Sequence, residues 1–413
     1  MRRIWRVAGI RSNESDGVST PNGREEKGMK SVTVLGSTGS IGCSTVDLLL
    51  QAPERFRAVA LVGGRNVQRL AEQARALRAE QAVIADEACL PELRALLAGT
   101  GIMASGGRQA VIEAAARQVD WTMAAITGAI GLEPTLAAVR NGGFVALANK
   151  EALVCAGDVM LRAVEQAGAT LLPVDSEHNA IFQSMADRQV AEVEKIVLTA
   201  SGGPFRRATL AEMEKATLEA ALKHPTWTMG AKITIDSATM FNKGLEVIEA
   251  ARLFALTEDR IGVVVHPQSV VHGLVQYSDG SIVAQMGSAD MRIPIAHTLA
   301  WPARMATNSP RLDLAALGRM EFEEPDEVRF PALRLARESL RVGGAVPTIL
   351  SAANEIAVEA FLGGSIGFLD IARVVEGVML ALGRQSADSL EEVLHWDQEA
   401  RRAARLRTTS LAA

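Results

Sequence analysis

A short strand followed by a glycine-rich turn and a helix is the feature that most constrains the fold of this chain. Residues 31–35 read Ser-Val-Thr-Val-Leu, as in a buried strand, and Gly36, Gly39 and Gly42 follow at three-residue spacing. Residues 44–50 then have the pattern of a helix. Such a turn directs backbone N–H groups and the positive end of the helix dipole at one point, which suits a pyrophosphate. The alternative is a tight strand-to-helix turn that binds no ligand.

Short apolar runs that alternate with helical stretches continue this pattern through the N-terminal region. Further strands are predicted at residues 56–62, 82–85, 121–126, 143–148 and 169–174. Alternating strands and helices are typical of a parallel sheet with helices on both faces. The sequence therefore predicts an α/β fold that begins with a doubly wound, Rossmann-like domain.

The end of the second strand indicates which dinucleotide this domain binds. NAD-binding proteins place an acidic residue about 20 residues after the glycine turn, where it binds the ribose 2′-hydroxyl. Here the strand instead ends in Gly63-Gly64-Arg65-Asn66. An arginine at this point favours a 2′-phosphate, so the predicted cofactor is NADPH. The alternative is that Arg65 is an ordinary surface residue.

The pattern changes after Asp175, where the predicted strands come closer together along the chain. They lie at residues 195–199, 262–266, 273–277 and 281–286, and an Asp-Gly turn typical of a hairpin joins the last two. This predicts a central α+β domain. From about Phe330 onward the chain is helical with breaks at Gly343-Gly344 and Gly363-Gly364, which predicts a small C-terminal helical bundle.

Three acidic residues form a candidate site for a divalent cation. A predicted strand runs into Asp175 and Glu177, and residues at i and i+2 of a strand project to the same face. Helical spacing places Glu246 on one face with Asn242 and Lys243. Converging carboxylates repel unless a cation lies between them, and an oxygen-only set favours Mg²⁺ or Mn²⁺ over Zn²⁺. The alternative is a set of ordinary solvated acids.

Several segments are rich in the groups that bind a phosphate monoester. Hydroxyl, glycine N–H and ammonium groups occur at residues 149–151, 201–203 and 236–239, although each segment alone is also explained as a cap or a turn. Residues 224–230 place an aromatic side chain, Trp227, between a proline and a glycine, which predicts a lid over a small substrate. The alternative is that Trp227 is a core residue.

The composition excludes several other classes of function. The chain has 413 residues, of which 48% are hydrophobic and 22% charged, and this predicts a globular protein with more than one domain. A formal net charge of −5 provides no basic field for nucleic acid or an anionic membrane. No apolar run reaches the roughly 18 residues of a membrane span. Three cysteines without a C-x-x-C pair favour a reducing, cytoplasmic location.

Taken together, these segments resemble the 1-deoxy-D-xylulose 5-phosphate reductoisomerase family. The resemblance covers roughly residues 29–413 and is carried by ordered motifs, among them GSTGSIG, ANKEALV, VDSEHNAIFQ, ASGGPF, HPTWTMG and KITIDSATMFNKGLE. It implies an NADPH-dependent reductoisomerase that requires Mg²⁺ or Mn²⁺ and converts 1-deoxy-D-xylulose 5-phosphate into 2-C-methyl-D-erythritol 4-phosphate, an isoprenoid precursor. A simple NADPH-dependent aldehyde or semialdehyde dehydrogenase is the alternative function.

The resemblance also implies roles for individual residues. The metal ligands would be Asp175, Glu177 and Glu246, and the catalytic residues would be Lys150, Glu177 and His224. The sugar phosphate would be bound by Lys150, Ser176, Glu177, Ser201, His224, Ser237, Asn242, Lys243 and Glu246. NADPH would be contacted by Thr38, Gly39, Ser40, Ile41, Gly64, Arg65, Asn66, Asn149, Glu151 and Gly230.

Functions for the predicted domains follow from the same resemblance. Residues 1–28 lie outside the family pattern and are predicted to be a disordered extension. The predicted order after them is an NADPH-binding domain at 29–174, a catalytic and dimerisation domain at 175–300, a linker at 301–326 and a C-terminal helical domain at 327–413. A homodimer is implied, and its interface is predicted at the sheet edge formed by residues 271–286.

Overall fold

The computed structural model describes residues 29–185, 190–227 and 229–412, so the predicted extension at 1–28 lies outside the described residues. The chain divides into two compact units. The first consists of the residues up to Asn149 together with Leu161–Val174 and Met291–Thr307. The second consists of Lys150–Met160, Asp175–Asp290 and Asn308–Ala413. The domain boundaries given above remain predictions.

Strands and helices alternate in the first part of the chain, and helices dominate the last part. The strands are β1 Lys30–Leu35, β2 Phe56–Gly63, β3 Gln81–Ile84, β4 Met103–Gly106, β5 Trp121–Ala124, β6 Phe144–Leu147, β7 Thr170–Pro173, β8 Val193–Ala200, β9 Ile261–Val265, β10 Val271–Tyr277 and β11 Ile282–Met286. The helices are α1 Ser40–Gln51, α2 Val67–Leu77, α3 Leu90–Leu96, α4 Arg108–Ala115, α5 Leu132–Arg140, α6 Glu151–Ala167, α7 Ser176–Ser184, α8 Leu210–Glu214, α9 Leu218–Ala221, α10 Ala231–Ala238, α11 Phe241–Leu253, α12 Arg292–Ala300, α13 Leu314–Leu317, α14 Ala332–Val342, α15 Val346–Leu362, α16 Asp370–Leu382 and α17 Leu390–Ala412.

A seven-stranded parallel sheet forms the centre of the first unit. Its strand order is β4-β3-β2-β1-β5-β6-β7, and all neighbouring strands run parallel. The predicted α/β architecture is thus confirmed. Strand β4 was not predicted, because it is a four-residue strand at the sheet edge and has no apolar run. The chain order reverses between β1 and β5, and sheets of this kind bind ligands at the carboxyl ends of the strands beside such a reversal. The glycine-rich turn follows β1 and therefore lies at this position.

Helix α12 supplies part of the core of the first unit, although it is far from the other elements in sequence. Ile295 and Leu299 are fully buried in the same apolar cluster as Val32 on β1. In addition, the indole Nε1 of Trp121 on β5 donates a hydrogen bond to the carbonyl of Thr298 at 3.1 Å. Burial of an aliphatic side chain contributes roughly 1.5–3 kcal/mol, so α12 stabilises this unit substantially.

His297 on α12 should make the first unit sensitive to acid. Burial, followed by the nearby Arg304 guanidinium, lowers the pKa of His297 to about 4. Because an unfolded histidine titrates near about 6.5, the stability contributed by the neutral imidazole is present above that pH and is lost as the pH falls toward 4. We expect about 2–3 kcal/mol of unfolding free energy to be lost between pH 7 and pH 4.5 through this residue.

Urea unfolding at the two pH values measures this effect, with His297→Gln as the comparison. The variant is expected to lose less stability on acidification than the unsubstituted protein does. An equal loss in both proteins would show that other groups govern the acid sensitivity.

A four-stranded mixed sheet organises the second unit. Its order is β11-β10-β8-β9, in which β10 is antiparallel to both β11 and β8, while β8 and β9 are parallel. Gly280 has a φ of 85° in the turn between β10 and β11, as the Asp-Gly signal of the hairpin requires. Helix α7 packs on β10, and a Cβ added to Gly273 would lie 3.0 Å from the carbonyl oxygen of Glu177. This glycine therefore allows the close approach of α7 to the sheet.

The C-terminal part of the second unit is helical, as predicted. Helices α14, α15 and α16 are separated at the two predicted glycine breaks, because Gly343, Gly344 and Gly364 all have positive φ angles that other residues adopt with strain. Within the described ranges, no helix is both long enough and apolar enough to cross a lipid bilayer.

Candidate functional site

The acidic residues predicted as metal ligands begin at the N-terminus of α7. Strand β7 ends at Pro173, Asp175 is the N-cap residue with φ −53° and ψ 131°, and Glu177 lies in the first helical turn. The argument that strand alternation brings Asp175 and Glu177 together was therefore wrong. Asp175 and Glu177 approach each other because the chain leaves strand geometry at the cap. The same change of direction turns Ser176 toward Glu177, and the Ser176 hydroxyl donates a 2.6 Å hydrogen bond to Glu177 Oε2.

Helix α11 supplies the third carboxylate. The residue before it, Met240, has a left-handed φ of 65°, and this sharp turn separates α10 from α11. Asn242, Lys243 and Glu246 then share one face, as the helical spacing predicted, and the Nδ2 of Asn242 donates to Glu246 Oε1 at 2.5 Å. Glu246 is fully buried. An ionised carboxylate in such a place requires cationic partners.

The three carboxylates converge in the second unit. One oxygen from each of Asp175, Glu177 and Glu246 lies within 4.8 Å of the others. Two ammonium groups bridge them: Lys150 Nζ is 2.5 Å from Asp175 Oδ2 and 3.3 Å from Glu246 Oε1, and Lys243 Nζ is 2.7 Å from Glu177 Oε1 and also pairs with Glu246. The three acids and two lysines form what we call the carboxylate cluster.

The charges of the carboxylate cluster do not balance when all its groups are ionised, since three anions face two cations. Burial, and then the neighbouring Glu177 carboxylate, raise the pKa of Glu246 to about 8 despite the two lysines. Burial also opposes ionisation of Asp175, but the Lys150 ammonium together with His178 and Lys243 outweighs burial and holds the pKa of Asp175 below its usual range. A cation bound beside Glu246 would oppose this shift and favour its ionised form.

The donor set of the cluster fits a hard divalent cation. It offers carboxylate oxygens without thiolate or imidazole, which is the ligand type of Mg²⁺ and Mn²⁺. A second group with suitable atoms consists of Asp175, His178 and Glu249, but it shares Asp175 with the first. His178 and Glu249 are almost completely buried, whereas the side chains of Asp175 and Glu177 remain 15% and 16% exposed. An ion can therefore reach the three-carboxylate group more readily.

A second set of predicted substrate residues meets around His224. Its Nε2 lies 2.9 Å from the Ser201 hydroxyl and 3.1 Å from the Ser237 hydroxyl, and the backbone N–H of Gly203 donates to Ser201. Gly203 has a φ of 64°, and a Cβ there would lie 2.9 Å from the backbone of Ala238. The loop after β8 therefore packs closely against the end of α10, which brings the two hydroxyls together.

The hydrogen bonds of His224 indicate its protonation state. Its Nδ1 accepts from the backbone N–H groups of Trp227, at 2.9 Å, and Thr226, at 3.2 Å. A ring nitrogen that accepts carries no hydrogen, so the hydrogen is on Nε2. Burial lowers the pKa of His224, which further favours the neutral ring. Together with Ser201 and Ser237, its Nε2–H forms a neutral group of hydrogen-bond donors suited to phosphate oxygens.

The predicted lid at residues 224–230 is only partly described, because Thr228 lies outside the described residues. Trp227 and Met229 are both half-buried, so neither is a core residue. The indole of Trp227 lies edge-on to the imidazole of His272, with ring centroids 6.1 Å apart. Gly230 is the N-cap residue of α10. The function of this segment as a lid remains a prediction.

In the first unit, the glycine-rich turn has the geometry of an anion site. Gly36 has a φ of 84°, and a Cβ there would lie 2.5 Å from the Ala125 carbonyl oxygen. Gly42 is equally constrained, since its Cβ would lie 2.2 Å from the oxygen of Gly36. Gly39, in contrast, caps α1 without a side-chain capping bond, and a Cβ there would make only an ordinary 3.4 Å contact with the Gly36 carbonyl oxygen. The helix N-terminus is thus left accessible for a phosphate.

The other predicted cofactor residues of this unit also follow carboxyl ends of parallel strands. Thr38, Ser40 and Ile41 belong to the turn after β1 and the start of α1, Gly64, Arg65 and Asn66 follow β2, and Asn149 follows β6.

Several of these side chains have structural partners within the first unit. Arg65 is highly exposed, and its Nε forms a 2.8 Å ion pair with Asp86. Asn66 caps α2 through Arg69 N–H, and Asn149 is buried and donates to the Gly128 carbonyl. Of the predicted cofactor residues, only Glu151 and Gly230 belong to the second unit.

Sequence reasoning missed two buried polar residues behind the carboxylate cluster. His178 Nε2 lies 2.9 Å from the backbone oxygen of Glu246, and its Nδ1 lies 3.2 Å from Glu249 Oε2. The available signals were their positions, since His178 follows Glu177 directly and Glu249 lies one helical turn after Glu246. Nothing in the spacing indicated that both would be buried.

Comparison with known proteins gives a consistent result along the chain. Residues 32–157 match the family described as 1-deoxy-D-xylulose 5-phosphate reductoisomerase, residues 171–254 match its C-terminal domain, and residues 286–403 match the DXP reductoisomerase C-terminal domain. The 1-deoxy-D-xylulose 5-phosphate reductoisomerase of Gluconobacter oxydans is 67% identical over 388 residues, covering 94% of each chain. That of Rhodospirillum centenum is 59% identical, covering 91% of this chain and 93% of its own.

Solved structures show the same similarity in three dimensions. The Zymomonas mobilis enzyme in complex with NADPH has a TM-score of 0.89 and 53% identity, covering 93% of this chain and all of the other. A DOX-P reductoisomerase in complex with NADPH, fosmidomycin and magnesium also has a TM-score of 0.89, with 41% identity and coverage of 93% and 99%. The chain therefore belongs to the 1-deoxy-D-xylulose 5-phosphate reductoisomerase family.

Proposed function

We propose that this chain catalyses the NADPH-dependent rearrangement and reduction of 1-deoxy-D-xylulose 5-phosphate to 2-C-methyl-D-erythritol 4-phosphate. The observation that carries the proposal is the carboxylate cluster of Asp175, Glu177 and Glu246 in a chain that belongs to the reductoisomerase family. A simple NADPH-dependent dehydrogenase has no need for such a cluster, and the comparisons do not favour that alternative.

The carboxylate cluster is proposed to hold Mg²⁺ or Mn²⁺. Asp175, Glu177 and Glu246 would be its ligands, and related enzymes have been solved with magnesium bound. A divalent ion bound there supplies Lewis-acid polarisation of a substrate carbonyl. Lys150 and Lys243 would balance the remaining carboxylate charge and donate hydrogen bonds to substrate oxygens. Ser176 and Asn242 contact the same carboxylates and would orient them.

The group formed by Ser201, His224 and Ser237 is proposed to bind the substrate phosphate. Their hydroxyl and imidazole hydrogens are the donors that a phosphate monoester accepts, and the neutral His224 positions its Nε2–H through two backbone bonds to Nδ1. Lys150 and Glu177 are the proposed proton carriers, because the rearrangement must take a proton from one hydroxyl and return one elsewhere. The segment containing Trp227 would exclude water during this step.

NADPH is proposed to bind at the glycine-rich turn of the first unit. The accessible N-terminus of α1 suits its pyrophosphate, and Arg65 supplies a cation for the 2′-phosphate. Thr38, Gly39, Ser40 and Ile41 would line the pyrophosphate, with Gly64, Asn66 and Asn149 as further contacts in the same unit. The NADPH complex of the Zymomonas mobilis relative supports this assignment.

A spectrophotometric assay of NADPH consumption tests the function directly. With 1-deoxy-D-xylulose 5-phosphate, NADPH and Mg²⁺, the absorbance of NADPH at about 340 nm should fall, and a chelator should stop the reaction until excess Mg²⁺ restores it. Turnover that is unaffected by chelation would contradict the metal proposal. Oxidation of NADPH with simple aldehydes but not with the sugar phosphate would instead support the dehydrogenase.

We also propose a cytoplasmic homodimer. The cysteines Cys43, Cys89 and Cys155 are free thiols, which suits a reducing compartment. Strand β11 lies at an edge of the four-stranded sheet and leaves Ile282 59% exposed, and edges of this kind are suited to pairing with a second copy.

A further inference from the structure

The side chain of Gln73 connects helix α2 to the glycine-rich turn within the first unit. Gln73 lies in the second turn of α2 and is 8% exposed. Its Nε2 donates a 2.9 Å hydrogen bond to the carbonyl oxygen of Ser37, a residue that is itself fully buried. Cys43 Sγ also lies 3.7 Å from this oxygen, but a thiol is a weak donor. The Gln73 amide therefore fixes the direction of the Ser37 carbonyl.

The direction of this carbonyl also sets the direction of the next N–H group. The Ser37–Thr38 peptide bond is trans, so its C=O and N–H point in opposite directions. Because the Ser37 carbonyl points at α2, the N–H of Thr38 points away from α2. Among the described residues, no group accepts a hydrogen bond from this N–H. Thr38 is half-buried and is followed by two exposed residues, so a ligand can reach this donor.

The Thr38 N–H adds to the donors at the start of α1. The Cys43 N–H donates to the Gly39 carbonyl at 2.8 Å, whereas the N–H groups of residues 40–42 have no such bond in the described part of the chain. Thr38 lies two residues before the helix and supplies a donor that the helix itself cannot. A pyrophosphate has oxygens on two phosphates, and it needs donors at more than one place.

Packing does not explain an amide at the position of Gln73. Its Oε1 is buried and accepts no hydrogen bond from the described residues. A buried acceptor without a partner costs free energy, so an apolar side chain of similar length would pack in α2 at least as favourably. Such a side chain could not donate to the Ser37 carbonyl. The direction that the amide imposes on the turn accounts for its presence.

We propose that Gln73 is a positioning residue for the pyrophosphate of NADPH, acting through the Ser37–Thr38 peptide. The proposal rests on the proposed function, in which this turn binds NADPH, and it involves residues of the first unit only. By holding the Ser37 carbonyl, Gln73 keeps the Thr38 N–H directed away from α2, where it donates to a phosphate oxygen. Without the amide, the peptide is free to rotate and the donor is lost. NADPH binding should then weaken, and binding of the sugar phosphate should not.

The test compares Gln73→Met with Gln68→Met, which removes an exposed glutamine of the same helix whose Nε2 donates to Glu92 at 3.2 Å. NADPH binding to the full chain is measured by fluorescence titration without sugar phosphate or metal. We expect Gln73→Met to raise the dissociation constant and the KM for NADPH about 10-fold, the effect of losing one hydrogen bond to a charged group. The value of kcat at saturating NADPH and the KM for 1-deoxy-D-xylulose 5-phosphate should stay within about twofold, as should every constant of Gln68→Met.

A fragment of the cofactor shows whether Gln73 acts through the pyrophosphate. Adenosine 2′-monophosphate carries the 2′-phosphate but no pyrophosphate. Its dissociation constant, measured by competition with NADPH, should differ by less than about twofold between Gln73→Met and the unsubstituted protein. A general disturbance of α2 would instead weaken both ligands alike, because Arg65 and Asn66 directly precede this helix.

Unchanged NADPH affinity in Gln73→Met would overturn the proposal, as would an equal weakening of NADPH and adenosine 2′-monophosphate. Gln73→Ala also removes the donor, requires no new space and retains a strong helix former. It should show the same 10-fold loss, and its result decides the matter if Gln73→Met fails to fold. Absence of NADPH binding by the unsubstituted protein would instead contradict the proposed function.

Discussion

Replacing Glu246 by glutamine should reduce turnover of 1-deoxy-D-xylulose 5-phosphate at least about 1,000-fold while leaving NADPH binding unchanged. Glu246 is the fully buried member of the carboxylate cluster, and glutamine keeps its size and one oxygen but removes its charge. The expected defect is in metal binding, because a neutral amide is a much weaker ligand for a hard cation. Isothermal titration with Mn²⁺ measures that binding independently of activity.

The same substitution should not destabilise the metal-free protein. Burial and the Glu177 carboxylate make ionisation of Glu246 unfavourable in the folded state, with a pKa of about 8. A carboxyl group whose pKa is higher in the folded than in the unfolded state opposes folding as the pH rises through that range. Metal-free Glu246→Gln is therefore expected to melt at or above the temperature of the unsubstituted protein at pH 8. A clearly lower melting temperature would show that Glu246 stabilises the fold, and unchanged Mn²⁺ affinity would exclude it as a ligand.

The architecture could be predicted from the sequence wherever the signals were local. Strand β1 and the glycine turn were recognised because Gly36 and Gly42 are positions that no larger side chain can occupy. Buried parallel strands are apolar along their whole length, and so they stand out from the helices between them. The contribution of α12 to the first unit was not predictable, because Ile295 lies in one apolar cluster with residues more than 200 positions earlier, such as Val32. Periodicity carries no information about such distant partners.

The candidate site was harder to predict from the spacing of residues in the sequence. Asp175 and Glu177 alone resembled ordinary acids at the start of a helix, and the structure shows that they do lie at a helix start. The resemblance to a family, and not the alternation of a strand, selected them. His178 and Glu249 were not predicted as site residues, because burial of polar side chains depends on tertiary packing. Their contacts at 3.2 Å and 2.9 Å become visible only once α7 and α11 are placed together.

Replacing Lys150 by methionine should have the second large effect, and it should depend on the metal. Lys150 Nζ contacts Asp175 at 2.5 Å, Asn242 at 2.8 Å and Glu246 at 3.3 Å. Burial opposes the charge of Lys150, but the carboxylates of Asp175, Glu246 and Glu249 hold the pKa of Lys150 well above its usual value. The lysine therefore remains a cation. Without it, three buried or half-buried carboxylates would retain only the Lys243 ammonium. We expect the metal-free variant to lose about 3 kcal/mol of unfolding free energy, and the variant assayed with Mg²⁺ to lose most of its activity.

Magnesium distinguishes this charge effect from a simple loss of packing. A divalent cation bound by the carboxylates would restore the missing positive charge, so saturating Mg²⁺ should stabilise Lys150→Met more than it stabilises the unsubstituted protein. Lys223→Met is the matched control, because its ion pair with Glu219 is exposed on both sides and should contribute less than about 1 kcal/mol. Thermal unfolding with and without Mg²⁺ provides the measurement. If Mg²⁺ stabilised Lys150→Met and the unsubstituted protein equally, Lys150 would not be balancing the charge of the carboxylates. If metal-free Lys150→Met lost no more unfolding free energy than Lys223→Met, the ion pairs of Lys150 would contribute little to folding.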